Sequence, residues 1–144
     1  MRKKYKFLEH TGDIKFQAEG KNLEEAFLNS ALALNEVIRG NLKIDKKIKA
    51  KIKVDGKDKE SLLLDFLEEF LFLLDAEDFL MSEVKDIKIT REGRFKLEAE
   101  AIGDRASNYE FSNDVKAITY NEMFVKKTGT SKKGKVVVQV IVDV

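Results

Sequence analysis

With 144 residues and 43% hydrophobic side chains, the chain can bury a sizeable core and reads as one domain spanning 1–144. It has no cysteine and a single histidine, which excludes disulfides, thiolate chemistry and multi-histidine zinc or iron sites. A net charge of +1 gives no bulk attraction to nucleic acid or anionic membrane, and any metal must be held mostly by oxygen, as calcium, magnesium or manganese are.

The basic start at Met1-Arg2-Lys3-Lys4 is followed by no apolar run, so no signal peptide is expected. No stretch approaches the roughly 20 apolar residues of a membrane span. The expected location is the cytoplasm, without membrane association. Residues 4–9 and 14–19 read as short strands around the turn His10-Thr11-Gly12-Asp13. In the second, Ile14, Phe16 and Ala18 alternate with Lys15, Gln17 and Glu19, the period of a half-buried strand. Asn22 suits a helix N-cap, with Glu25 as its capping-box partner. Leu23, Ala26, Phe27, Ser30, Ala31, Leu34 and Ile38 then recur at helical spacing until Gly40.

Ile44 to Val54 predicts a regular strand. Ile48, Ala50, Ile52 and Val54 face one way, and Lys47, Lys49, Lys51 and Lys53 the other. The lysines are either a solvated, edge-protecting face or a basic stripe for RNA phosphates or an acidic partner; no aromatics interleave them. A second helix runs from Asp58 to about Glu77, with a broad apolar arc from Leu62 to Leu74. Ser61, Asp65, Glu68, Glu69 and Ala76 share its remaining face. Phe72 projects into that polar face, so it is either covered by another element or exposed at a partner contact.

Residues 84–91 and 94–102 predict a hairpin through Glu92-Gly93, followed by a polar loop over 103–113. A last pair, 114–126 and 135–144, is joined through Lys126 to Gly134. Val136-Val137-Val138 is apolar on both faces and suits a central strand. No internal repeat is evident. The order β-β-α-β-α-β-β-β-β implies an α+β domain, with two helices on a largely antiparallel or mixed sheet.

Conventional catalytic motifs are absent. There is no Gly-x-Ser-x-Gly elbow and no dinucleotide glycine pattern. Gly129 to Gly134 precedes a strand rather than the helix a phosphate loop needs. The carboxylates offer more. Asp13 sits in a turn just before a strand. Asp143 follows the mostly apolar run Val136 to Val142 and shares the face of Val137, Gln139 and Ile141. If that face is covered, the acid needs a lysine or a cation shared with another carboxylate, because an unpaired buried carboxylate is costly. The terminal carboxylate at Val144 would add oxygen nearby. His10 is either a turn residue with satisfied hydrogen bonds or an acid/base or ligand group.

Taken in order, these segments resemble the archease family over nearly the full length. The resemblance rests on His10-Thr11-Gly12-Asp13-Ile14 (the family usually has Ala at Gly12), Ala18-Glu19-Gly20 and Leu23-Glu24-Glu25-Ala26-Phe27. It continues through Glu60-Ser61-Leu62-Leu63-Leu64-Asp65-Phe66-Leu67, Val115-Lys116-Ala117-Ile118-Thr119-Tyr120 and Val142-Asp143-Val144. The resemblance implies a small α+β protein that assists the tRNA-splicing RNA ligase, promoting its guanylylation and multiple turnover. It also implies a chaperone-like link to RNA methyltransferases, with RNA met only indirectly. It implies a metal site, calcium in the first place, with Asp13 and Asp143 as ligands and a carbonyl or terminal oxygen from Val144. His10 and Asn121 would stand behind those ligands.

Asn121 stands where the family usually has His, Asn108-Tyr109 where it commonly has Arg-His, and a Trp near the last strand is replaced by the Lys132–Lys135 region. These departures leave the implied ligands intact; they bear on any ligase-activating chemistry that uses those histidines. Three readings follow: a metal-binding accessory protein rather than an enzyme, a chaperone-like binding module in which Phe72 and the Lys47–Lys53 stripe matter more than Asp13, and a small metal-dependent hydrolase using His10 as base.

Overall fold

The computed structural model describes residues 4–129 and 133–144. The element order is β1 (Tyr5–Leu8), β2 (Ile14–Gly20), α1 (Leu23–Arg39), β3 (Ile48–Gly56), α2 (Lys59–Glu77), β4 (Phe79–Glu92), β5 (Arg94–Arg105), a 3-10 turn at Ala106–Asn108, β6 (Ala117–Thr128) and β7 (Lys135–Asp143). This is the α+β class with two helices that the patterning implies. Every strand pairing is antiparallel, and the strands form two sheets: β1-β2-β7-β6 and β3-β5-β4.

Both helices start where a side chain satisfies a free N–H. Asn22 accepts the Glu25 N–H at 2.9 Å; Glu25 returns its carboxylate to the Lys21 N–H at 3.3 Å instead of to Asn22. Asp58 and Ser61 make the full reciprocal box, at 2.7 and 3.2 Å. Ser61 is therefore buried at the cap, not part of the exposed face of α2. α1 lies on the inner side of β2 and β7 and reaches β4; α2 lies on β3 and β6. Phe27 of α1 stacks on Phe66 of α2 at 5.9 Å, and the core continues into Phe16, Val138, Val140, Ile52 and Leu97 from the two sheets.

Several strand limits differ from the alternation reading. β3 starts at Ile48, because Ile44 is buried ahead of the ladder and only the Lys47 N–H reaches Gly103. β4 starts at Phe79, where an apolar run buried on both faces has no alternation to read. β5 extends into the expected loop, to Arg105, and β6 begins at Ala117. Thr130, Ser131 and Lys132, in the expected connection between the last two strands, lie outside the described residues, as do Met1, Arg2 and Lys3.

β3 is an edge strand, and its lysine row is exposed beside acids of central β5. Lys49 approaches Glu100 at 3.7 Å and Lys53 approaches Glu98 at 3.8 Å. The stripe is thus a solvated, partly neutralised edge. β7 lies centrally between β2 and β6, as its valine run implies. No helix among the described residues is long and apolar enough to cross a membrane.

Candidate functional site

The β2–β7 ladder brings the two singled-out acids to one end of the first sheet. Its last pair is Ile14 opposite Val142. Asp13 precedes that pair on one segment and Asp143 follows it on the other, so both lie at this end of the sheet. Phe16, Ala18, Val138 and Val140 point into the core, so Asp143 shares the opposite face of the ladder with Lys15, Gln17, Gln139 and Ile141.

Asp143 is half-buried, and its main-chain carbonyl accepts the Lys116 N–H at 2.8 Å. Among the described residues its carboxylate has no hydrogen-bond or ion-pair partner. Val144 is half-buried against the core. Across the ladder, Asp13 Oδ2 lies 3.9 Å from His10 Nδ1, a buried ring nitrogen with no hydrogen bond among the described residues. His10 Nε2 donates instead to Glu122 Oε2 at 3.1 Å, and Lys15 Nζ donates to Glu122 Oε1 at 3.0 Å. Lys15 first and His10 second hold the Glu122 carboxyl below the usual carboxylate range.

Glu122 reaches this position because β6 bulges between Thr119 and Phe124, with Glu122 itself at φ 55°. Gln139 Nε2 donates to the Glu122 carbonyl at 2.9 Å, and Gln17 Nε2 donates to Gln139 Oε1 at 2.8 Å. This amide chain ties the bulge across β7 to β2. The polar network therefore rests on paired strands rather than on a free loop.

Asn121 is exposed, and its N–H donates to Thr119 Oγ1 at 3.3 Å; its neighbour Glu122 meets His10 instead. Glu122 and Lys15 were not found by sequence reasoning. Their one signal is that Tyr120-Asn121-Glu122-Met123 interrupts the alternation of β6. Phe72 lies on α2, outside this group, and is 54% exposed, so no element among the described residues covers it. Asn108 and Tyr109 serve a different centre. Both donate to the buried Asp104 carboxylate, Tyr109 at 2.8 Å and Asn108 at 3.4 Å, and Tyr109 also accepts the Asp45 N–H. The Tyr109 bond, then the Arg105 N–H, hold the Asp104 carboxyl low.

The donor set can be tested against an oxygen-bound cation. Two carboxylates at one end of the sheet, one of them unpaired, are hard donors of the kind calcium takes. Among the described residues, no group of three or more His, Asp or Glu side chains could hold a metal ion. An ion at Asp13 and Asp143 would therefore need main-chain oxygen and water to complete its shell. Hydrolytic chemistry has less support, because the His10 ring meets two carboxylates and no hydroxyl among the described residues.

The Archease protein family model matches residues 5–144. A protein from Methanosarcina barkeri named "Protein archease" is 38% identical over 141 residues, covering 96% of this chain and 97% of that one. Another of that name, from Pyrobaculum neutrophilum, is 36% identical over 128 residues, 87% of each chain. The solution structure of Methanobacterium thermoautotrophicum protein 1598 superposes with a TM-score of 0.81 at 29% identity, over 99% of this chain and 100% of that one.

Proposed function

The chain belongs to the archease family, and we propose that it is an accessory protein of the tRNA-splicing RNA ligase. In this reading it promotes guanylylation and multiple turnover of the ligase. It acts by protein contact, meets RNA only through its partner, and carries a divalent cation, calcium in the first place. The observation that carries the reading is the β2–β7 register. Ile14 opposite Val142 is one step from Asp13 and Asp143, and the half-buried Asp143 carboxylate has no partner among the described residues.

Asp13 and Asp143 would hold the ion through their carboxylates, with a main-chain oxygen of Val144 as a further donor. When bound, a divalent cation supplies fixed positive charge for phosphate oxygens and developing negative charge. The chain's own residues do the positioning. His10, anchored on Glu122, pins the turn that carries Asp13. Lys15 keeps Glu122 ionised, which preserves a charged acceptor for His10. The Gln17–Gln139–Glu122 chain locks the bulge, so the acids are presented from a ladder of fixed register.

Asp13→Ala tests this in a multiple-turnover ligation assay with the ligase. Stimulation should fall to near the ligase-alone level while the thermal unfolding midpoint stays close to wild type. Unchanged stimulation would remove the metal-centred mechanism.

The second reading, a chaperone-like module for RNA-modifying proteins such as methyltransferases, is favoured by one observation: Phe72 and Tyr120 are large aromatics left 54% and 55% exposed. In that reading partner binding survives loss of Asp13.

A further inference from the structure

Phe72 stands at the head of an acidic row on α2. Asp65, Glu68 and Glu69 precede it by seven, four and three residues, so all four side chains share one helix face. Acids at this spacing repel one another, and neither an ion pair nor a side-chain hydrogen bond relieves any of the three among the described residues. The face lines a cavity of about 850 Å³ whose other wall comes from the second sheet. There Lys53 approaches Glu98 at 3.8 Å and Lys88 and Lys96 line the same wall, but among the described residues none of the three lysines pairs with the helix acids.

The electrostatic surroundings agree with that geometry. Burial beside the groove pushes the Glu69 carboxyl up, and pushes Glu68 up with the Asp65 charge adding to it. Asp65 is raised by burial first and by Asp55 second, against the opposing charge of Arg94. Tyr120, on the strand against which α2 packs, has its hydroxyl raised by burial and then by Asp65 and other carboxylates of this helix. An acidic field thus surrounds two exposed aromatics. A desolvating partner must bring positive charge, because removing water from three unpaired carboxylates is otherwise costly.

We propose that this groove on α2 docks a basic amphipathic segment of a partner protein, with an apolar side chain against Phe72 and Lys or Arg heads on Asp65, Glu68 and Glu69. The proposal rests on the reading that the chain works through protein contact, and it names the chemistry of the segment contacted. The acid row lies on α2 and the Asp13–Asp143 end on the β2–β7 ladder, so each is tested by its own substitutions. Charge-assisted contacts of this kind weaken as salt rises.

The test uses the full chain with no ligase and no calcium. The probes are a synthetic amphipathic peptide of Lys and Leu and its analogue with every Lys replaced by Glu. Amide shifts are followed by NMR at low and high salt. The basic peptide should shift resonances of residues 65–76, bind more weakly in high salt, and bind at least about tenfold more tightly than the acidic analogue. Phe72→Ser and the pair Glu68→Gln with Glu69→Gln should each weaken it about tenfold. Both sites are on the surface of α2, and circular dichroism should report an unchanged helix.

Equal binding of the two peptides, shifts centred elsewhere, or full affinity in the variants would overturn the proposal. Concentration-dependent shifts of the same residues without peptide would assign the groove to a second copy and overturn it as well. Neither peptide result depends on Asp13, so failure here leaves the ligation assay standing, and failure there leaves this one.

Discussion

Tyr5 joins the first strand to the first helix through one hydroxyl. It donates to Glu36 Oε1 at 2.9 Å, and burial, then that hydrogen bond and the Glu36 charge, push its pKa up to about 12. The fold therefore prefers the neutral phenol more than the unfolded chain does. The stabilisation is fully present below the ordinary tyrosine value near 10 and is lost as pH climbs from about 10 to about 12. Tyr5→Phe should cost about 1 kcal/mol at pH 8, and that gap should close by pH 12. Urea unfolding of the two proteins across this range checks it; a gap that stays constant would deny the hydroxyl its role. At the same scale, Glu122 explains why part of the candidate site was not legible. A residue at φ 55° inside a bulge breaks the two-residue period, so sidedness cannot be read through it. Asp13 and Asp143 stand out in the sequence because one sits in a turn just before an alternating strand and the other closes a mostly apolar run. His10 was legible as the lone histidine, but its partner was not.

The two strand-to-helix junctions use one solution twice. Glu19-Gly20-Lys21-Asn22 leads from β2 into α1, and Asp55-Gly56-Lys57-Asp58 leads from β3 into α2. A Cβ on Gly20 would sit 2.4 Å from the Ala26 nitrogen, and one on Gly56 would sit 2.7 Å from the Leu62 nitrogen. In each case the helix's first turn is pressed onto the glycine, which lets the capped N-terminus fold back over the strand. Gly56→Ala should therefore destabilise by about 1–3 kcal/mol, the range of overpacking in a rigid contact. Denaturant unfolding measures it, and a change below about 0.5 kcal/mol would show that the backbone gives way freely. Helix limits were legible here because the caps are local chemistry. The repeated junction was not, because four residues are too few to read as a repeat until both are seen to do the same job. Phe72 is intermediate: its angle on α2 was legible, and its exposure depended on what packs nearby.

At the scale of the molecule, the element order follows from periodicity and caps, while the division into two sheets does not. Alternation tells which face of a strand is apolar but not which strand it joins. That partnership decides the function proposed here: β7 pairs with β2 across nearly the whole chain, and so the turn after β1 meets the segment ending in Asp143. Isothermal calorimetry with calcium on the wild type and on Asp143→Asn tests this claim most directly. The substitution is isosteric and leaves the β7 ladder untouched. The wild type should bind a single ion, and the variant should bind at least about tenfold more weakly with an unchanged unfolding midpoint. Equal calcium affinity in the two proteins, or no binding heat in the wild type at millimolar calcium, would contradict a cation site shared by Asp13 and Asp143.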